Sequence, residues 1–232
     1  MEQAEQINQN ENREKDQLTR QVVIHFIRHG DTEYKKAEDL EGDLTKLGKQ
    51  QAREAGERLF NDLTEGSVLA FHSSSRLRTI QTAQEISTEV VKLSQKSGKK
   101  IVFHNENPKA FSRLAVGDKA TEEWLDVLLQ GQNPVDYFLD NPTEATKEDK
   151  KHFNSYLSKL SFFTKRLSPQ GPDVHIVAVT HTGPSEAFIQ GLTGQRPEGS
   201  LTSCEEFRIN LPVSNEKPNL IYKGTSSEIR NI

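Results

Sequence analysis

Short apolar runs alternate along the chain with longer stretches in which apolar residues recur every three or four positions. Val22 to Ile27 is a nearly continuous apolar run of strand length, the pattern of a strand covered on both faces. Thr45 caps a helix predicted to run to about Phe60, with Leu47, Ala52, Ala55, Leu59 and Phe60 as its buried stripe. Val68 to His72 reads as a second strand. Arg76 to about Ser97 reads as a helix carrying Ile80, Ala83, Ile86, Val90 and Leu93, closed by Gly98, with Lys100 to His104 as a third strand. From Asn105 to Asn141 the pattern breaks up among Pro108, Gly117, Gly131 and Pro134, leaving a short helix around Thr121 to Leu129 that contains Trp124. A long helix is predicted from about Thr143 to Leu167, on the stripe Phe153, Tyr156, Leu160, Phe163 and Leu167. Asp173 to Thr180 is another buried strand, Pro184 to Leu192 a helix closed by Gly194, and Glu206 to Leu211 and Leu220 to Lys223 finishing strands.

Strands alternating with helices predict an α/β fold: a three-layer sandwich whose central, mostly parallel sheet is flanked by helices on both faces. No repeat and no second core is visible. The expected organisation is a flexible arm over 1–20, one domain over 21–224 with a partly helical insertion at about 105–142, and a loose tail over 225–232. In the arm only Met1, Ala4, Ile7 and Leu18 are apolar, too few to offset the entropy of ordering it.

Composition narrows the classes of function. The chain has 232 residues and a net charge of −4, which disfavours the basic face that non-specific nucleic-acid binding needs. No run has the shape of a signal peptide or the length of a membrane span, so no membrane association is expected. The one cysteine, Cys204, leaves no internal disulfide and fits a reducing, cytoplasmic compartment. Three residues separate it from Arg208, whereas a cysteine-phosphatase loop needs five, so Cys204 reads as structural.

The candidate chemistry lies where two strands end. Arg28-His29-Gly30-Asp31-Thr32 follows the first strand, and Thr180-His181-Thr182-Gly183 follows the strand at Asp173 to Thr180. Between them lies Ser73-Ser74-Ser75-Arg76-Leu77-Arg78-Thr79-Ile80-Gln81-Thr82-Ala83. Ligands of such sheets collect beyond the carboxyl ends of the strands, and Arg78 opens a helix whose N-terminus adds free N–H groups. Neutral imidazole is a nucleophile at pH 7, and guanidinium is a fork for phosphate oxygens. Two histidines and two arginines converging there suit a dianion and a phosphorylated histidine. His25 and His29 are four apart but straddle a strand end, which disfavours a metal pair. His72, His104 and His175 read as structural, His152 as exposed, and Arg76 as a surface residue.

These segments resemble the histidine phosphatase superfamily, also called phosphoglycerate mutase-like, from about Val22 to Leu211. Arg28-His29-Gly30 resembles its Arg-His-Gly signature, and Leu44-Thr45 with Gly48, Gln51 and Ala52 its Leu-Thr-x-x-Gly-x-x-Gln-Ala helix. Ser73 to Ala83 resembles its Ser-Ser-x-x-x-Arg-x-x-Gln-Thr-Ala segment, and Val179 to Gly183 its second-histidine motif. The resemblance implies a phosphatase in which His29 becomes phosphohistidine, without metal or cofactor. It implies that Arg28, Arg78 and His181 bind the phosphoryl oxygens, with Thr32 or Thr182 adding a hydroxyl or an N–H. Thr182 stands where one branch carries an aspartate, so the acid is expected after the third strand, at Glu106, with Asp118 or Glu122 as alternatives. A phosphoglycerate-mutase-like phosphotransferase and a non-catalytic phospho-ligand-binding module are the competing readings. The Asn105 to Asp118 stretch offers only Lys109 and Arg113 to a mutase. The expected partner is a phosphorylated small molecule or phosphoprotein.

Overall fold

A computed structural model describes residues 20–33, 42–104, 112–113, 123, 127, 130–141, 143–213 and 216–229. Most of the expected arm, the Thr121 to Leu129 helix with Trp124, and Glu106, Asp118 and Glu122 fall outside those residues, apart from Glu123 and Val127 of the helix.

The strands are β1 (Gln21–Arg28), β2 (Thr32–Glu33), β3 (Asp43–Leu44), β4 (Val68–Ser73), β5 (Val102–Phe103), β6 (Ser112–Arg113), β7 (Val174–Thr180), β8 (Glu206–Pro212), β9 (Asn219–Tyr222) and β10 (Thr225–Glu228). The helices are α1 (Lys46–Asp62), α2 (Leu77–Ser97), α3 (Pro134–Asp140), α4 (Glu144–Thr164) and α5 (Pro184–Thr193). An eight-stranded sheet runs β10-β9-β8-β1-β7-β4-β5, with β6 pairing farther along β4, and β2 and β3 form a separate small pair. β1, β7, β4, β5 and β6 are parallel, whereas β8, β9 and β10 add an antiparallel edge.

Burial follows from this order. β7 lies between β1 and β4, and every one of its residues is buried. Alternate side chains of a strand point to opposite faces. Val22, Ile24 and Phe26 therefore pack with Phe153 and Leu157 of α4 and Phe188 and Leu192 of α5. Ile27 packs on the other face with Ala52, Ala55 and Leu59 of α1 and Ala83, Ile86 and Val90 of α2. The three-layer α/β sandwich is thus the observed architecture.

Several elements differ from expectation. Leu47 is 54% exposed, because the buried stripe of α1 starts one residue later, at Gly48, and continues through Ala52, Ala55 and Leu59. Phe163 is 51% exposed for the same reason: the inward positions of α4 are Phe153, Leu157, Leu160 and Thr164, about 100° away around the helix. Pro134, read as loop punctuation, opens α3; Asn133 caps it by accepting from the Val135 amide. Residues 225–228, expected in a loose tail, form β10 instead. Lys223 (φ 47°) and Gly224 (φ 77°) are both left-handed and make a two-residue hairpin onto β9.

Candidate active site

Arg28 and Thr180 are partners in the parallel register of β1 and β7, so the next residues, His29 and His181, leave the sheet together. The His29 amide donates to the Thr180 carbonyl at 3.0 Å. The two imidazoles are buried, with centroids 5.3 Å apart and planes inclined by 63°.

Each ring has a tautomer set by its partners. The Nδ1–H of His29 donates to the Gly30 carbonyl at 2.8 Å, and a carbonyl can only accept, so Nε2 keeps its lone pair. Arg78, which can only donate, gives an Nη2–H to Nδ1 of His181 at 3.3 Å. The His181 proton therefore sits on Nε2, which donates to Ser74 Oγ at 2.8 Å. Ser74 Oγ bonds Thr79 Oγ1 at 2.9 Å, and the Thr79 hydroxyl donates to the Arg76 carbonyl at 2.7 Å.

Electrostatics keep both rings uncharged. Burial, then the charge of Arg78, holds the His29 pKa well below its usual value; the Gly30 carbonyl opposes this and Arg28 adds to it. Burial likewise leads for His181, followed by Arg78, His29, Arg76 and Arg28. Arg76 is half-buried at the N-cap of α2 rather than a plain surface residue. A neutral imidazole has a free lone pair, and the fixed positive charge around His29 suits an anion.

The other motifs act as scaffold. A Cβ on Gly30 would lie 2.6 Å from the Gly48 carbonyl oxygen, and one on Gly48 would lie 2.1 Å from that of Asp31. Only two glycines let the loop after β1 press on the start of α1. Thr45 Oγ1 donates to Asp31 Oδ2 at 2.7 Å while capping the Gly48 amide, and Gln51 Oε1 accepts the Asp31 amide at 2.9 Å. From α2, Thr82 Oγ1 accepts the Gly30 amide at 3.0 Å and donates to the Arg78 carbonyl at 2.7 Å. Gln81 clamps β3, accepting the Leu44 amide at 2.9 Å and donating to Asp43 Oδ1 at 2.7 Å.

Arg28 is held from the far side. Its Nη1 donates to the Leu201 carbonyl at 2.6 Å, its amide to the Glu205 carbonyl at 3.0 Å, and its carbonyl accepts from the Cys204 amide at 3.1 Å. Cys204 is itself buried, and that burial pushes its thiol up to about 12, consistent with a structural role. Glu186, which the sequence reading passed over, is fully buried between these parts. Its Oε1 accepts from Thr182 Oγ1 (2.9 Å) and the Leu201 amide (2.7 Å), and its Oε2 from the Gly183 amide (2.6 Å). Its place three residues after Gly183 has the spacing of a helix-capping glutamate, the one signal that marks it in the sequence.

The structure therefore brings His29, His181, Arg78 and Arg28 to one strand edge. The hydroxyls expected to meet phosphate are engaged elsewhere, that of Thr32 with the Gly30 carbonyl (3.0 Å) and that of Thr182 with Glu186. His25 belongs to a different group, bonding Glu206 at 3.2 Å and His175 at 3.0 Å. His72 bonds the Tyr156 hydroxyl at 3.3 Å, and His104, expected to be a bonded structural residue, is exposed. Among the described residues no group of three His, Cys, Asp or Glu side chains suits a metal ion, and no helix is long and apolar enough to cross a membrane.

Residues 24–98 match the histidine phosphatase superfamily (branch 1). A comparison with curated protein sequences gives no match. Among solved structures, mycobacterial hydrolase 2 is 17% identical, with 91% of this chain and 94% of that one covered and a TM-score of 0.51. The protein histidine phosphatase SixA, solved with tungstate, is 15% identical, with 89% and 97% covered and a TM-score of 0.50. At such identity the likeness concerns the fold. The matched segment holds the Arg28-His29-Gly30 loop and the start of α2, and over these residues the chain is similar to the histidine phosphatase superfamily.

Proposed function

We propose that this protein is a metal-independent phosphatase that hydrolyses a phosphomonoester through a phosphohistidine on His29. The observation that carries the reading is the 2.8 Å bond from His29 Nδ1 to the Gly30 carbonyl, which leaves Nε2 as a neutral nucleophile beside Arg78 and His181. SixA, of the same fold, was solved with tungstate, an oxyanion of phosphate's shape, which supports an oxyanion ligand for this chain.

In the first step Nε2 attacks phosphorus and the bond to the leaving oxygen breaks. Arg28, Arg78 and His181 hold the equatorial oxygens, where charge must be stabilised. The leaving alkoxide takes a proton from a carboxylic acid; the resemblance assigns this to Glu106, with Asp118 or Glu122 as alternatives. In the second step that carboxylate takes a proton from water, water oxygen bonds phosphorus, and the P–N bond breaks to return neutral His29 and orthophosphate. The substrate is a phosphorylated small molecule or phosphoprotein.

The test is turnover of an aryl phosphate in EDTA by the wild type and by His29→Ala. Metal-free release of orthophosphate that vanishes in the variant is the expected result. Undiminished turnover in the variant, or dependence on added metal, overturns the mechanism.

A further inference from the structure

A glutamate at the third position of a helix ordinarily reaches back to the N-cap amide with one oxygen and leaves the other in water. Glu186 does the first part, accepting the Gly183 amide at 2.6 Å, but it is 0% exposed and its second oxygen does something else. That oxygen accepts from the Thr182 hydroxyl at 2.9 Å and from the Leu201 amide, fifteen residues on, at 2.7 Å. Leu201, also fully buried, in turn offers its carbonyl to Arg28 Nη1 at 2.6 Å. One carboxylate thus bonds the two residues that follow His181 and, through a single residue, the guanidinium that precedes His29.

From this geometry we propose that Glu186 is a positioning residue that sets the aim of Arg28 relative to the His181 loop. It rests on the phosphatase reading of the site, and Glu186 touches no reacting atom. The physical reason lies in the guanidinium's planar fork, which recognises phosphate oxygens only when its plane is directed at them. The Leu201 carbonyl takes one of its N–H groups and so orients the rest, and Glu186 decides where Leu201 lies. A helix cap alone would need neither burial nor the bond to Leu201.

Glu186→Gln tests this at nearly constant volume. Whichever way the amide turns, its NH2 meets an N–H, that of Gly183 or that of Leu201, donor against donor, so the side chain shifts and Leu201 shifts with it. We expect kcat/KM for p-nitrophenyl phosphate to fall by about 10- to 100-fold, the scale of a misplaced reacting group, and orthophosphate to bind more weakly, at temperatures where the variant is folded. In the Arg28→Ala background the same substitution should cost only a few-fold, because the group it aims is gone. An equal loss in both backgrounds, or no loss in the folded variant, overturns the proposal. Thr182→Val, which removes one of the three donors, carries the same comparison at smaller size if Glu186→Gln does not fold. A wild type that binds orthophosphate without turnover overturns the phosphatase reading alone, and the Glu186 comparison is then read in orthophosphate affinity. A wild type that neither binds nor turns over overturns both.

Discussion

Two pairs of buried histidines belong to the same two strands, one pair within them and one just past their ends, and their ring centroids are the same 5.3 Å apart. His25 and His175 stack at 22° within the sheet; His29 and His181 meet at 63° just beyond its carboxyl edge. Burial is the leading cause that lowers the pKa of His29, His181 and His175 alike, the last to about 3. Burial and proximity therefore do not make a site. The inner pair lies beside Glu206, whose carboxylate accepts from His25 and is held at about 2 despite its burial by His25 and Arg208; Arg208 also bridges to Asp62. Both nitrogens of His25 are committed, and its surroundings are acid balanced by base. The outer pair has arginines, a carbonyl-fixed Nδ1 on His29, and the end of a parallel sheet where helix N-termini gather.

The largest effect should come from making the outer pair resemble the inner one. Arg78→Ala removes the guanidinium beside His181 and is expected to lower kcat/KM by about 10²–10³-fold, the usual worth of one transition-state donor. Arg76→Ala should cost much less, since Arg78 gives an N–H directly to His181 whereas Arg76 stands at the N-cap of α2. Equal losses in the two variants would mean that the pair's special character does not rest on Arg78.

Next in size is Gly48→Ala. The added Cβ would lie 2.1 Å from the Asp31 carbonyl oxygen, so the loop carrying His29 must move. Turnover should fall by about tenfold or more, the cost of a shifted nucleophile, with a drop in Tm beside it. Retained turnover would show that the loop tolerates displacement, and that the outer pair is less tightly positioned than its contacts imply.

A smaller effect should separate the pairs by pH. His175 has a folded pKa of about 3 against an ordinary 6.5, so the unfolded chain binds the extra proton first. Its neutral form adds stability that is present above pH 6.5 and lost as pH falls toward 3. The lowered pKa values of His29, His72 and His181 act in the same direction. Thermal melts from pH 7 to 4 should show Tm falling, and His175→Leu should flatten that slope while leaving kcat/KM intact. A changed kcat/KM in that variant would tie the inner pair to the chemistry.

The smallest effect is expected from removing residues 1–19. Arg20 is retained because its backbone bonds Pro169 and Val213, whereas the segment before it has few apolar residues to bury. Melting temperature and turnover should match the full chain, and a clear loss of either would show that the arm docks on the domain.

Much of this was legible in the sequence because much of it is local. A buried strand, an amphipathic helix and a capping threonine are written in neighbouring residues, so β1, α2, β7 and α5 lie close to where periodicity puts them. His29, Arg78 and His181 stand out because each follows or opens such an element. The phase errors at Leu47 and Phe163 arose where apolar side chains lie one position off the inward stripe, a choice made by the packing partner. β10 escaped notice because an exposed edge strand needs no apolar face, and Thr225 to Glu228 has none.

The sequence by itself determined the alternation of strands and helices, the two histidine loops at strand ends, and the arginine at the start of α2. Only the tertiary structure decided which nitrogen of each imidazole carries the proton, that the hydroxyls of Thr32 and Thr182 are already engaged, and that Glu186 joins Arg28 to the His181 loop. Those facts depend on partners such as Leu201, 173 residues from Arg28, and Ser74, 107 from His181. Periodicity and motifs record what a residue can do. A hydrogen bond between distant segments exists only once the fold has brought its donor and acceptor within about 3 Å.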